Sequence, residues 1–401
     1  MNSRNLRALV IAPQPFFTPR GTPFSVYYRT MICAGEGVQI DLLTYGQGQD
    51  VDIPGVRIIR IPRFKWLGPV PVGPSKLKLF LDGFILLKTL WLLCRNRYDF
   101  VHAHEEAVFF CTFLKPIFGF KLVYDMHSCL PQQLTNFKFT TSGKMIRLFK
   151  WLEDKSTGSA DAVITICPEL ADYALSLISD KGKHFLIENS IFDPVRLKSP
   201  GRADAVQATA PEPPVPPAGR YVVYAGTFEA YQGLDILVAA FAQVIRSVPD
   251  AFLLLVGGSP GQVVKYREMA DAAGLKDRCL VLERVPQAAA RRYCEAASVQ
   301  VSPRSSGTNT PLKTYEQLAS GIPIVATRIR SHTQVLSEDV AYLVDPNPDA
   351  MAAGIIQAFA DGRTGNARAA NALKLYADRY SRPAYVAKIR QLLERLTPCA
   401  E

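Results

Sequence analysis

Residues 301–327 combine residue types that suit the binding of an anion. The stretch predicts the end of a strand, a polar loop that contains glycine, a short helix and a second strand. We predict that Thr310 caps the helix and that Pro311 is its first residue, because proline loses no useful N–H at that position. The free N–H groups at the helix start, together with Lys313 in the first turn, form a candidate anion site.

A carboxylate follows on the same predicted helix. At 100° per residue, Glu316 falls about 40° from Leu312, at the edge of an apolar stripe that also holds Tyr315 and Ala319. A buried carboxylate needs partners, since burial without them is costly. An anion site with a carboxylate deeper in predicts a nucleotide, with its diphosphate at the helix start and its ribose hydroxyls on Glu316. The alternative is an ordinary helix in which Glu316 forms a salt bridge with a neighbour.

Polar side chains also end two predicted strands in the first half of the chain. The strand at 121–127, KLVYDMH, ends in Asp125 and His127, and ligands of open α/β sheets lie beyond the carboxyl ends of the strands. In DFVHAH, at 99–104, His102 and His104 alternate with apolar residues and therefore face the same side. Two histidines are too few for a metal site, so we predict a polar pair at a strand end and neither a metal nor a cofactor.

The composition is that of a globular chain with ample core. It has 401 residues, of which 48% are hydrophobic and 20% charged, and two domains of about 200 residues are expected at this length. The net charge of +10 is uneven, because the first 200 residues hold 24 Lys and Arg against 17 Asp and Glu. The excess fits an anionic membrane surface or a phosphorylated substrate. Nucleic acid is not expected as a partner, because no nucleic-acid-binding motif is present.

Two features predict a cytoplasmic protein. The eight cysteines are scattered without close pairs, which favours reduced thiols over a disulfide framework or a zinc site. The apolar run near the N-terminus is broken by Pro13 and Pro15, so we interpret it as a first strand and not as a signal peptide.

Strand–loop–helix units recur in both halves of the chain. The first comprises a strand at 6–12, a loop that ends at Gly21, a helix at 24–34 and a strand at 38–44, without the G-x-G-x-x-G fingerprint of dinucleotide binding. A second begins at Tyr221. Between them, residues 198–219 are rich in Ala and Pro and predict a linker. We therefore predict domains at 1–197 and 220–375, with a C-terminal helix within 376–401 that packs back on the first domain.

Two segments could contact a membrane. The most apolar one, 75–94, is interrupted by Asp82 and Lys88, and its uninterrupted parts are too short to span a bilayer, so we predict a helix packed on a sheet. Residues 137–155 alternate basic residues with large apolar ones, which predicts a basic amphipathic helix. We favour contact of this helix with an anionic membrane over the alternative of a core helix with a solvated basic face.

Several segments resemble the retaining glycosyltransferases of family 4, which have the GT-B fold. In the second half these are YAGTFEAYQGLDILVAAF, AFLLLVGG and SPRSSGTNTPLKTYEQLASGIPIVAT, and in the first half KLVYDMH and DAVITICPEL. The resemblance covers nearly the whole chain in order. It implies an α/β fold of two Rossmann-like, doubly wound domains facing across a cleft, with a nucleotide sugar on the C-terminal domain, the acceptor on the N-terminal domain and metal-independent transfer between them.

The resemblance also implies roles for individual residues. Glu316 matches the second glutamate of the family's Glu-x7-Glu motif, which holds the ribose, and His127 matches a histidine near the donor sugar; we take both as the catalytic residues. The backbone N–H groups of Asn309 and Thr310 would meet the donor, and Gly21 would lie near its phosphates. The complete predicted donor-binding set is Gly21, Gly226, Thr227, Gln232, Arg304, Thr308, Asn309, Thr310, Lys313 and Glu316.

The chain departs from the family pattern at charged positions. Thr308 stands where the motif has its first glutamate, and Thr227 and Gln232 replace an arginine and a lysine that follow the linker. A diphosphate usually meets cations. We therefore expect Arg304 and Lys313 to replace the missing pair.

These expectations define one function and two alternatives. The chain would move a sugar from a UDP- or GDP-sugar to a glycan or lipid-linked acceptor, in bacterial surface polysaccharide or glycolipid synthesis at the inner face of the cytoplasmic membrane. The alternatives are a nucleotide-sugar epimerase of the same fold and a non-catalytic homologue that acts as a partner subunit.

Overall fold

Two parallel sheets organise the part of the chain that the computed structural model describes, which is residues 6–18, 21–64, 66–68, 70–71, 75–129, 143–189, 192, 195 and 220–397. Each sheet belongs to one compact unit. The first unit comprises Met1–Ser199 with Arg382–Glu401, and the second comprises Pro200–Ser381. The predicted linker, 198–219, lies outside the described residues.

The first unit contains a seven-stranded sheet in the order β3-β2-β1-β4-β5-β6-β7, with all neighbours parallel. Its strands are β1 (Arg7–Ala12), β2 (Gln39–Thr44), β3 (Val56–Arg60), β4 (Phe100–His104), β5 (Lys121–Met126), β6 (Ala162–Thr165) and β7 (His184–Leu186). Strands buried on both faces require apolar side chains throughout, which is why β1 reads as a continuous apolar run after its first residue.

Helices cover both faces of this sheet. They are α1 (Gly21–Gly35), α2 (Lys76–Arg95), α3 (Ala107–Phe118), α4 (Gly143–Ser159) and α5 (Pro168–Leu177), with a short 3-10 helix at Lys181–Lys183. The apolar side chains of α2, α3 and α5 form one core cluster, whereas α1 packs in a second cluster on the other face. α3 contacts both α2 and α4.

The second unit has a six-stranded parallel sheet in the order β10-β9-β8-β11-β12-β13. Its strands are β8 (Tyr221–Ala225), β9 (Phe252–Gly258), β10 (Cys279–Glu283), β11 (Val299–Ser302), β12 (Ile324–Thr327) and β13 (Tyr342–Val344). Its helices are α6 (Leu234–Ser247), α7 (Pro260–Ala272), α8 (Gln287–Ala296), α9 (Leu312–Ala319), α10 (Arg330–Thr333), α11 (Pro348–Asp361) and α12 (Ala367–Arg379), with a 3-10 turn at Ala230–Gln232. The two predicted doubly wound sheets are confirmed.

The last helix, α13 (Arg382–Leu396), belongs to the first unit. Its apolar side chains, among them Tyr385 and Ile389, join the core cluster that also contains α1. The chain enters this unit at Arg382, because α12 continues to Arg379 beside α9. The second unit therefore extends past residue 375, where the domain boundary was predicted.

The helix predicted in residues 301–327 starts later than expected. Pro311 immediately precedes α9 in an extended conformation, and the Thr310 side chain does not cap the helix. α9 buries Thr314, Tyr315 and Leu318, whereas Ala319 is exposed. The prediction that the buried stripe is centred on Leu312 is therefore wrong. The buried face of the helix begins two to three positions later, at Thr314 and Tyr315.

None of the helices in the described ranges has the length and apolar character needed to cross a bilayer.

Candidate active site

The loops that follow β8 and β11 meet in the second unit. These strands are neighbours at the point where the strand order reverses, which is where open α/β sheets bind ligands. Gly233 has a φ of +69°, and a Cβ there would lie 2.0 Å from the carbonyl oxygen of Pro303. The Ser305 N–H donates to the carbonyl oxygen of Tyr231 at 2.9 Å. The two loops are therefore in direct backbone contact.

Lys313 lies where these loops meet the start of α9. Its Nζ donates to Gln232 Oε1 at 3.2 Å and lies 3.9 Å from the centre of the Tyr224 ring. Burial, and next the charge of Arg304, hold the Lys313 pKa well below its ordinary value. Gln232 stands where the family has a lysine. It contacts Lys313, one of the two residues that we expected to take over the role of the missing cations.

Arg304 holds the loop after β11 in shape. Its Nε donates to the Ser306 carbonyl at 2.7 Å and its Nη1 to the Asn309 carbonyl at 3.0 Å. The guanidinium lies 5.1 Å from the centre of the Tyr231 ring. A Cβ on Gly307, whose φ is +122°, would come within 2.2 Å of Arg304 Nη2. The positive φ favours glycine at this position, and the missing Cβ leaves room for the guanidinium.

The two cations of this site are not paired with a carboxylate of any described residue. Neither Arg304 nor Lys313 forms an ion pair with any residue in the described ranges, and burial lowers the pKa of both groups. His332 is also buried nearby; its Nε2 lies 2.9 Å from Ser302 Oγ and its Nδ1 2.8 Å from the Thr327 carbonyl. Burial lowers the His332 pKa to about 4 against the hydrogen bond to Thr327, and the charges of Lys313 and Arg304 add to this effect. The site therefore favours an anion.

Two threonine hydroxyls accompany these cations. Thr310 precedes α9 and Thr314 lies in its first turn, and neither Oγ1 has a hydrogen-bond partner among the described residues although both atoms are buried. Buried hydroxyls without partners are uncommon in folded proteins. The carbonyls of the neighbouring residues are already used, because Thr308 accepts from Gln334 Nε2 and Asn309 from Arg304.

Glu316 is one turn beyond Lys313 on α9, and its side chain is exposed. The prediction of a carboxylate at the edge of a buried stripe is therefore wrong. The protein around the carboxylate nonetheless reduces its hydration and so raises the Glu316 pKa, and the charge of Arg291 acts in the opposite direction. An exposed carboxylate needs no internal partner and is free to accept hydrogen bonds from a ligand.

The other predicted donor-binding residues fall in two places. Gly226 and Thr227 follow β8 directly, and Thr227 is exposed while its carbonyl accepts from the Tyr224 hydroxyl at 2.7 Å. Gly21 is in the first unit, at the start of α1. The structure thus groups Gly226, Thr227, Gln232, Arg304, Thr308, Asn309, Thr310, Lys313 and Glu316 around the β8 and β11 loops, and it places Gly21 with His127 in the other unit.

His127 belongs to a buried polar network at the end of β5. Its Nε2 lies 3.0 Å from His104 Nδ1 and 3.3 Å from Asp125 Oδ1. Asp125 Oδ2 lies 2.8 Å from His102 Nε2 and forms an ion pair with Arg29. His104 and Asp125 face each other in the register of β4 and β5. The histidines predicted as a separate pair therefore surround the same carboxylate as His127.

Burial and neighbouring charges together set the protonation states in this network. Burial opposes ionisation of Asp125, but Arg29, with His104 and His127, holds its pKa well below the ordinary value. Burial lowers the His127 pKa to about 4 and holds the His104 pKa well below its usual range, with Asp125 acting in the opposite direction in both cases. His104 and His127 are therefore neutral near pH 7 beside an ionised Asp125.

His102, His104 and Asp125 also place three potential metal-ligand atoms within 4.8 Å of one another. Arg29 already forms an ion pair with Asp125, donates through Nη2 to the Ile187 carbonyl at 2.8 Å and contacts the Tyr385 hydroxyl through Nε at 3.1 Å. The guanidinium balances the carboxylate charge that a cation would need. The donor set therefore fits a metal poorly.

A second polar cluster lies at the same edge of the first sheet. The Tyr45 hydroxyl donates to Asp82 Oδ1, and Lys78 Nζ lies 2.6 Å from Glu106 Oε1. Burial, and next Glu106, raises the Asp82 pKa to about 8, and burial raises the Glu105 pKa to about 7. These groups surround the ends of β2 and β4, on the unit that would hold the acceptor.

Sequence reasoning missed several of these residues. Arg29 and Tyr385 join the Asp125 network from helices that are distant in sequence, and neither stands in a recognisable motif. His332 likewise follows a strand without a signal of its own. His102 and His104 were predicted as a polar pair, and their grouping with Asp125 had a usable signal, because β4 and β5 both carry these polar residues at their carboxyl ends.

Two family models match the chain. Residues 32–190 match the glycosyl transferase 4-like domain, and residues 207–375 match glycosyl transferases group 1. The second match contains both loops and the α9 start described above, and the first contains the Asp125 network apart from Arg29 and Tyr385.

Curated relatives are similar over most of their length. The D-inositol 3-phosphate glycosyltransferase of Corynebacterium efficiens is 23% identical over 342 residues, which cover 82% of this chain and 79% of the relative. The phosphatidyl-myo-inositol mannosyltransferase of Mycobacterium leprae is 22% identical over 357 residues, covering 88% and 87%.

Solved structures share the two-domain fold. A sucrose-phosphate synthase from Thermosynechococcus elongatus has a TM-score of 0.72 at 22% identity and covers 98% of this chain and 99% of its own. Anabaena HepE, in complex with UDP and glucose, has a TM-score of 0.67 at 16% identity, covering 97% and 99%. A putative UDP-N-acetylglucosamine 2-epimerase from Listeria monocytogenes has a TM-score of 0.60 at 12% identity, covering 98% and 97%. At these identities the likeness shows the GT-B fold alone.

Proposed function

The chain belongs to the group 1 glycosyltransferases of the family-4 type, and from that premise we propose that it transfers a sugar from a UDP- or GDP-sugar to a glycan or lipid-linked acceptor with retention of configuration. The proposed setting is bacterial surface polysaccharide or glycolipid synthesis on the cytoplasmic side of the membrane. The similarity to an inositol phosphate glycosyltransferase and to a phosphatidylinositol mannosyltransferase supports an acceptor of this kind.

The pairing of Arg304 and Lys313 without an acidic partner is the observation that carries the proposal. Lys313 lies in the first turn of α9, where helix N–H groups favour an anion, and Arg304 lies in the loop between β11 and α9. Burial lowers the pKa of both groups, which reflects the cost of keeping them charged without a counter-ion. A nucleotide diphosphate supplies that counter-charge. The Thr310 and Thr314 hydroxyls, buried without a hydrogen-bond partner among the described residues, are the further donors that we assign to this anion.

This arrangement stabilises the charge that develops during transfer. As the bond between the anomeric carbon and the phosphate oxygen breaks, negative charge accumulates on the leaving diphosphate, and fixed cations and N–H groups stabilise it more strongly than the starting state. The acceptor hydroxyl oxygen then bonds to the anomeric carbon from the same face, and its proton passes to the leaving phosphate. Glu316 accepts hydrogen bonds from the ribose hydroxyls.

His127 is the group of the first unit that we assign to the donor sugar. Because His127 is neutral, its ring can exchange hydrogen bonds with sugar hydroxyls without repelling the cationic character of the reacting carbon. The adjacent Asp125, whose charge Arg29 balances, holds the ring in place at 3.3 Å from Nε2. The acceptor would meet the Asp82, Glu105 and Glu106 cluster on the same unit.

We further propose that residues 137–155 contact an anionic membrane, which would place the enzyme at the membrane surface. Of this segment, α4 is described from Gly143, and its Met145, Leu148 and Trp151 are exposed beside Lys144 and Arg147. A helix with exposed apolar and basic side chains lies stably at a membrane interface. The remainder of the segment, residues 137–142, lies outside the described residues.

Kinetics of two variants test the donor site. Arg304→Ala and Lys313→Ala should each raise the donor KM or lower kcat at least tenfold, about 1.4 kcal/mol of lost transition-state stabilisation. Lys265→Ala, which removes a lysine from α7 beside Tyr266, is the matched control and should leave both constants unchanged. Unchanged kinetics in both site variants would refute the assignment.

A donor screen separates the alternative functions. A sugar nucleotide at 100 times its Kd adds about 2.7 kcal/mol of stability, so thermal shifts with UDP-, GDP- and ADP-sugars identify the donor. Release of free nucleotide with membrane extract is expected for a transferase and not for an epimerase. Donor binding without any turnover would instead support the non-catalytic partner subunit, which the replacements at Thr227, Gln232 and Thr308 suggest.

A further inference from the structure

Exposed apolar side chains are concentrated on one layer of the first unit. Of the thirteen large apolar side chains that are exposed among the described residues, four lie on α2, two on α3 and three on α4, and a tenth is Trp66, shortly before α2. The remaining three are scattered over the second unit. Large apolar patches that soluble proteins leave exposed are usually binding surfaces.

Two aromatic groups give this layer its character. Phe64, Trp66, Phe80 and Phe84 form a cluster with ring centres 4.9 to 6.4 Å apart, in which Trp66 is 75% exposed. On the neighbouring helices, Phe113 of α3 and Trp151 of α4 have ring centres 6.5 Å apart. Because α3 contacts both α2 and α4, we treat these rings as one surface and call it the aromatic face.

Cations lie directly on these rings. Lys88 Nζ is 3.9 Å from the centre of the Trp91 ring, and Arg95 lies 4.4 Å from the same ring. Lys155 Nζ is 4.6 Å from the Phe113 ring and 5.0 Å from the Trp151 ring. None of these three cations forms an ion pair with a described residue. The aromatic face therefore presents unpaired positive charge beside apolar rings.

We propose that the aromatic face, formed by α2, α3 and α4 together with Phe64 and Trp66, is a docking surface for an anionic phospholipid bilayer. The inference rests on the proposed transfer to a membrane acceptor, and it enlarges the contact from one helix to a layer of three. Tryptophan and cation pairs suit the boundary between headgroups and acyl chains, because rings enter the apolar zone while ammonium and guanidinium groups stay with phosphates. A protein partner would instead be expected to pair the cations with carboxylates.

Tryptophan fluorescence, excited selectively at about 295 nm, reports on this surface alone. The chain has three tryptophans, and Trp66, Trp91 and Trp151 all lie on the aromatic face. Vesicles of phosphatidylcholine with phosphatidylglycerol should shift their emission to the blue, and brominated phospholipid should quench it. Vesicles of phosphatidylcholine alone should need at least a tenfold higher lipid concentration for the same shift and quenching, because the cations then have no anionic lipid to bind.

Matched variants locate the contact. Trp66→Ala with Phe80→Ala should weaken co-sedimentation with the anionic vesicles at least tenfold, whereas Val264→Ala with Leu373→Ala, which removes two exposed apolar side chains of the second unit, should not. Loss of vesicle binding in a variant of Lys144, Arg147 and Lys150 together with unchanged binding in the Trp66 and Phe80 variant would restrict the contact to α4 and overturn the inference. A second outcome would also overturn the inference. In it, the wild type binds no vesicles and forms a concentration-dependent dimer, and the variant of Trp66 and Phe80 is a monomer.

The donor assay keeps this inference separate from the proposed function. The Trp66 and Phe80 variant should retain the thermal shift with the nucleotide sugar. If the wild-type protein binds donor but shows no fluorescence change with vesicles, only the docking surface is refuted. If the wild-type protein binds vesicles but no sugar nucleotide, only the proposed function is refuted.

Discussion

Asp125 determines how the histidines around it can act. It is fully buried, it is neutralised by Arg29, and it receives His102, His104 and His127 within 3.3 Å. A buried ion pair of this kind is costly to break from one side, because the partner is then left charged and unpaired. The network therefore fixes the position of His127 more firmly than a surface histidine would be fixed.

His127→Ala should lower kcat at least tenfold and change the donor Kd little. The expected loss follows from removing a neutral hydrogen-bonding ring beside the reacting sugar, while the phosphates remain bound in the second unit. The measurement is steady-state kinetics combined with donor binding by calorimetry. His184→Ala is the control, because His184 lies on β7 of the same unit and contacts Thr165. A His127→Ala enzyme with full turnover would remove the residue from the mechanism.

The loops after β8 and β11 depend on each other, and glycine makes this possible. Gly233 lies against Pro303 with its φ in the left-handed region, so the backbones approach more closely than any other residue allows. This contact brings Gln232 to Lys313 and Tyr231 to Arg304. The cation pair is therefore positioned by backbone geometry that neither loop forms alone.

Gly233→Ala should lower the melting temperature by several degrees and weaken donor binding at least tenfold. The added Cβ meets a carbonyl oxygen and the backbone adopts a disfavoured φ, which together cost about 1–3 kcal/mol. Differential scanning calorimetry and donor titration measure the two effects. Gly261→Ala in α7, where a Cβ meets nothing within 4 Å, should be neutral or slightly stabilising. Equal behaviour of the two variants would show that the loop contact is unimportant.

The sequence predicted the elements of the fold better than their packing. The strand–loop–helix order and both doubly wound sheets follow from apolar runs and glycine-bearing loops, which are local signals. The exposure of Glu316 does not, because it depends on how α9 packs beside α12, and no local pattern reports that contact. The convergence of Arg29 and Tyr385 on the Asp125 network is likewise a tertiary event between residues more than 350 positions apart.

The two units divide the predicted chemistry between them. The second unit holds the cation pair, the unpartnered threonines and Glu316, and the first holds the Asp125 network and the cluster around Asp82. The last helix, α13, belongs to the first unit and shares a core cluster with α1. We therefore expect the second unit to bind the nucleotide through its own residues.

Hydrogen exchange can test this division in the intact protein. A saturating nucleoside diphosphate should slow amide exchange in the loops at 226–233 and 303–313 of the second unit, because a bound anion there stabilises both loops against local opening. Exchange in β1, β4 and β5 of the first unit should not change with the diphosphate alone. Lys313→Ala should abolish the protection, and Lys265→Ala should preserve it. Protection confined to the first unit would contradict the assignment of the donor site to Arg304 and Lys313, because a diphosphate held elsewhere would leave those cations without the counter-charge that their burial requires.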